Sequence, residues 1–102
     1  MTDPQAALAM IERQIQELDA LFKEASADIN TVRGSERVAA WKIRTVPLLA
    51  QHVGQREAQQ FVMTKPGPSF TRDLEEELSD EVDLYRSFLT ALAKRLTTRG
   101  PG

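Results

Sequence analysis

The sequence predicts an all-α fold: a single domain over residues 1–97, built as an antiparallel bundle of three long helices and one short one. Three observations predict it. Apolar residues recur every three or four positions through the first and last thirds of the chain, which places them on one face of a helix. No segment of useful length alternates apolar and polar residues as a strand does. Gly34, Gly54 and the run Lys65-Pro66-Gly67-Pro68 punctuate the chain where helices are expected to end.

The first helix is expected over 4–32, with Asp3 as N-cap and Pro4 at the first helical position. Leu8, Ile11, Ile15, Leu18, Phe22, Ala25, Ile29 and Val32 form its stripe. The spacing also allows a break near Ser26. Gly34 reads as its stop and Ser35 as the next N-cap. The second helix is expected over 35–53, with Val38, Trp41, Val46, Leu48, Leu49 and Val53 as its apolar members. Pro47 lies inside it and predicts a kink or break, because proline lacks the N–H and clashes with the preceding turn. A short third helix over 55–63 carries Ala58, Phe61 and Val62. The last helix is expected over 71–97, through Leu74, Leu78, Val82, Tyr85, Leu89, Leu92 and Leu96, with a flexible tail over 98–102. Its first half is rich in Asp and Glu and its end carries Lys94 and Arg95, as the helix dipole favours. The first and last helices carry the longest stripes and are expected to be neighbours.

A stripe of this kind also suits a coiled coil. In a parallel homodimer with Leu8 at position a, the flanking pairs would be Gln14–Asp19, Leu21–Ser26 and Asp28–Arg33. Only the last is of opposite charge, so the intramolecular bundle is the better reading.

The chain has 102 residues, 27% charged and 41% hydrophobic, with a net charge of −2, which suits an ordinary folded domain rather than a disordered one. There is no cysteine, which excludes a disulfide framework and a thiolate zinc site. No run approaches the roughly 20 apolar residues of a membrane helix, and the N-terminus lacks the basic start of a signal peptide. The expected setting is the cytoplasm. Charge is unevenly spread: residues 1–28 and 72–86 are acidic, and 29–71 are basic.

No P-loop, dinucleotide fingerprint, serine elbow or zinc-protease helix occurs. His52 is the sole histidine and has no marked nucleophile or orienting partner, so it reads as a dipole-favoured residue in a last helical turn. The run Glu75-Glu76-Glu77 with Asp80 and Glu81 lacks the Glu-x-x-His element of helical metal sites and reads as a solvated face. Trp41 reads as a core anchor. Neither enzyme chemistry nor a metal or other cofactor is expected. The candidate docking residues are Glu76, Asp80 and Glu81 on the acidic front of the last helix, and Arg37, Lys42 and Arg44 in the basic centre. A protein partner or a second copy is the expected occupant. The alternative is nucleic acid: residues 49–62 space an alanine, a glycine and a polar helix as in a helix-turn-helix, with Gln55, Arg56 and Gln59 at a major groove.

Trp41, Leu48-Leu49, Gly54 and Phe61, preceded by a long helix, resemble small all-helical domains that stand before effector modules, TIR-like ones among them, in bacterial defence proteins. This chain differs in having Pro47 inside the helix, and no effector segment is expected behind it. The resemblance implies a non-catalytic assembly or docking domain in a bacterial or phage defence or regulatory context. It assigns no functional residues.

Overall fold

The computed structural model describes residues 4–28, 31–65 and 74–98. They form four helices: α1 (Pro4–Asp28), α2 (Thr31–His52), α3 (Gln55–Met63) and α4 (Leu74–Thr98). No strand occurs among the described residues. The molecule measures 47 × 25 × 21 Å. A helix of 25 residues is about 37 Å long, so the long helices lie along the major axis.

Paired side chains set the directions. Thr45 meets Gln14 and Arg37 meets Glu24, so α1 and α2 are antiparallel. Arg86 bonds Asp19, and α1 also packs along α4. Arg95 pairs with Glu57 while Phe61 meets Tyr85 edge-on, so α3 runs antiparallel to α4. The path is up-down-up-down, with α1 and α4 as neighbours as the stripes required.

The core holds Ile11, Leu18, Val38, Trp41, Leu49, Phe61, Val82 and Leu89, each fully buried. Leu8, Ile15 and Phe22 are only half-buried, whereas Ala7, Met10 and Gln14 are buried. The deepest line of α1 is therefore turned from the stripe's centre, because α1 is clasped between two helices rather than pressed on one.

Two expectations about α1 and α2 are corrected. The first helix ends at Asp28 and does not reach Val32, and Gly34 is no stop: it lies inside α2, which begins at Thr31. A β-carbon at Gly34 would stand 2.5 Å from Ala25 Cβ and 3.1 Å from Leu78 Cδ2. Here α1, α2 and α4 converge at a level that the nine-residue α3 does not reach, and only glycine leaves room. Helix propensity made this glycine look like an end, but packing put it in the middle.

Pro47 does not break α2, which is continuous from Thr31 to His52. The bond that proline forfeits would have gone to Ile43 O. Both Pro47 and Ile43 are exposed, so that carbonyl faces water rather than the core. α2 ends as Val53 N and Gly54 N both donate to Leu49 O, at 2.8 and 2.9 Å. Gly54 O then accepts from Ala58 N at 3.1 Å to start α3, whose bounds match the expectation. α4 extends one residue beyond the expected end, through Thr98; its expected start at 71–73, the loop over 66–68 and the tail over 99–102 lie outside the described residues.

Candidate functional site: an open groove between the first two helices

The two faces of α2 carry different chemistry. On the inner side, Trp41 meets Phe61 edge-on, with ring centroids 5.8 Å apart, and lies 6.1 Å from the Tyr85 ring. Phe61 also contacts Tyr85 and Phe88, at 5.6 and 5.2 Å. Trp41 Nε1 is buried here with no hydrogen-bond partner. An orphan of this kind costs about 1–3 kcal/mol, so the indole is held for its bulk.

Lys42 closes this end. Its Nζ donates to Thr64 O at 2.6 Å and Val62 O at 3.4 Å, which are carbonyls at the end of α3. It also donates to Tyr85 Oη at 3.3 Å and lies 4.5 Å from the centroid of that ring. A cation on the last carbonyls of a helix satisfies groups that lack intrahelical partners and suits the dipole. Burial holds the Lys42 ammonium below its ordinary value, against the opposing pull of Glu81. Burial raises the Glu81 carboxyl, which Lys42 partly offsets. Burial, then the Glu81 charge, pushes Tyr85 up to about 12.

On the other side of α2, facing α1, lies an open groove of about 420 Å³. It spans residues 9–17 of α1 and 44–52 of α2. Nine residues of helix give it a length of about 12 Å. Ala9, Met10 and Leu48 supply its apolar surface. Arg13 and Glu17 stand on the α1 wall, Arg44 and His52 on the α2 wall. At its base Gln14, 5% exposed, pairs with Thr45, whose Oγ1 is 3.1 Å from Gln14 Oε1 and 2.8 Å from Trp41 O. A hydroxyl has one proton, which goes to Trp41 O when the Gln14 amide is turned to donate to Oγ1.

The predicted docking residues are dispersed by the fold. Arg44 lines the groove. Arg37, two turns earlier on the same edge of α2, is tied to Glu24 at 3.4 Å. Lys42 is turned inward, and Glu81 is its half-buried counter-charge, so both serve the fold. Glu76 and Asp80 are exposed on α4. The structure does not gather the six into one surface. Gln55, Arg56 and Gln59 are all exposed on α3. Arg56 and Gln59 line a shallow hollow with Gln60, Met63 and Thr64, which α3 and its end supply alone. Among the described residues no group of three or more His, Asp and Glu is placed to hold a metal ion. No helix there is long and apolar enough to cross a membrane.

Sequence reasoning missed Met10, Arg13, Gln14, Glu17 and Leu48 as one site. Arg13, Gln14 and Glu17 follow i, i+4 spacing or adjacency along one edge of α1, but nothing local tells which helix lies beside that edge. No protein-family model matches the chain, and the searches of curated proteins and of solved structures find nothing similar to it.

Proposed function

We propose that this chain is a non-catalytic protein-docking module, an adaptor that works through the α1–α2 groove. The observation that supports the reading is the groove itself: apolar side chains of Ala9, Met10 and Leu48 between two charged walls, open along one side. Leu48, only half-buried, leaves apolar surface open to a partner helix beside Met10. The resemblance to helical domains that precede effector modules in bacterial defence proteins fits the same role.

The test is a selection of helix-displaying peptides against the wild-type chain, with counter-selection against Ala9→Trp. Ala9 is exposed, so the tryptophan fills the groove without entering the core. Binders that lose affinity for Ala9→Trp are the expected result. A selection that yields no binder, or only binders indifferent to Ala9→Trp, overturns the reading.

One observation favours a second reading, DNA binding. α3 is a separate short helix that presents Gln55, Arg56 and Gln59 outward together. These are side chains able to read base edges. Against it, α3 carries one cation, and its one acid, Glu57, is engaged with Arg95. Few phosphates could be neutralised, and phosphate contacts dominate affinity. Duplex binding at low salt that is lost in Arg56→Ala would establish this reading; absence of binding removes it.

A further inference from the structure

We infer that the occupant of the α1–α2 groove is an acidic amphipathic helix of a partner protein, an inference that rests on the docking reading above. Charge is the first argument. Arg37, Arg86 and Arg95 each have a carboxylate partner, but Arg13 and Arg44 have none among the described residues. These two guanidiniums stand on opposite walls, one from each helix, with Glu17 as the groove's single carboxylate. Met10 and Leu48 lie between the walls. The complement is an apolar stripe with carboxylates on both flanks, which a helix produces by placing acids beside apolar residues at i, i+3 and i+4.

Backbone chemistry is the second argument. α1 and α2 satisfy their own N–H and C=O groups, so an extended peptide in this groove would leave its backbone unpaired. A helix arrives with its backbone bonds already made. The groove matches it in length, at about two helical turns. Its open side suits a helix better than a small molecule, since ligand pockets bury most of the ligand's surface. The apolar floor and Glu17 disfavour a phosphate backbone.

A second copy of this chain is a poorer fit. Its acidic helix is α4, and there Asp83 pairs with Arg86, Glu81 faces the half-buried Lys42, and Glu76 is also engaged. Asp80 stays exposed, but the apolar stripe it would flank, Leu78, Val82, Tyr85 and Leu89, is buried within the bundle.

The experiment titrates the isotope-labelled chain with three synthetic helical peptides. All carry the same leucine stripe, flanked by Glu, Gln or Lys. The Glu peptide is expected to bind most tightly, to shift the amides of 9–17 and 44–52, and to weaken as salt rises. The double variant Arg13→Glu, Arg44→Glu should lose about tenfold or more for the Glu peptide and gain for the Lys peptide. Both positions are exposed, and circular dichroism checks the fold. If the Gln or Lys peptide binds the wild-type groove as tightly as the Glu peptide, the acidic inference falls and docking stands. If no peptide shifts the groove, both fall. If the chain instead self-associates through these amides and the double variant abolishes it, the occupant is a second copy and the inference is overturned.

Discussion

Lys42 and Arg44 stand two residues apart on α2, about 200° apart around the helix, and their situations are opposite. Lys42 reaches between α3 and α4, caps the end of α3 and rests on the Tyr85 ring. Arg44 faces α1 across an open groove and pairs with nothing among the described residues. The side with two neighbouring helices uses its cation for folding. The side with one neighbour leaves Arg44 available, while Arg37, two turns earlier on that edge, is tied to Glu24 of α1. What decides a charge's task here is the number of helices packed beside its edge, and local sequence carries no such count.

The comparison breaks first at Trp41. Trp41→Ala removes the centre of the aromatic end, with an expected loss of about 3–5 kcal/mol. Leu48→Ala, on the half-open groove floor, should lose only about 1 kcal/mol, because that site is already partly in contact with water. Urea melts followed by circular dichroism measure both. Equal losses would mean that the groove is closed in solution.

Gly34→Ala comes next. Alanine gains about 1 kcal/mol in helix propensity. It also forces a methyl against Ala25 and Leu78, and overpacking of this kind costs about 1–3 kcal/mol. The expected net is a loss of about 1 kcal/mol; a stabilised variant would show that the three helices separate readily at that level.

Lys42→Met keeps the apolar stem and removes the ammonium. It should lose about 1 kcal/mol, as the carbonyls of Val62 and Thr64 lose their donor. Arg44→Met should stay within about 0.5 kcal/mol of wild type. This pair tests the comparison most directly, and a reversed order would refute it.

The smallest effect near neutral pH belongs to Tyr85. It is the only tyrosine, so tyrosinate absorbance reports it alone. The folded chain should titrate near 12 and the urea-unfolded chain near 10. Between those values the folded state holds a proton that the unfolded state has released, so this contribution to stability falls as pH rises through the window. Lys42, held low by burial, works in the opposite sense: its unfolded form binds the extra proton, so its contribution rises with pH up to its ordinary value. Tyr85→Phe should remove the falling component.

Much of the fold was legible because helix formation leaves a periodic mark. The apolar stripes, the stop at Gly54 and the whole of α3 follow from residues within a few positions of each other. Trp41 as a core anchor was legible for the same reason. Gly34 and Pro47 were misread because each has a strong local tendency that its surroundings override. Gly34 is kept inside α2 by the approach of Ala25 and Leu78 from other helices. Pro47 is tolerated because its lost bond falls on the solvent side. The docking residues were the least legible. Arg37, Lys42 and Arg44 read as one basic cluster in the chain, yet one is tied to Glu24, one caps α3 and one lines the groove.

The sequence by itself determined that this chain makes amphipathic helices, three long and one short, and where α3 begins and ends. These properties depend on side-chain spacing and on the backbone chemistry of Gly and Pro, which act over one or two turns. The tertiary structure alone decided which edge of α2 meets α3 and α4 and which meets only α1. That choice follows from how four helices of unequal length share one core, and it leaves a groove where α3 and α4 flank one side of α2 and α1 alone flanks the other.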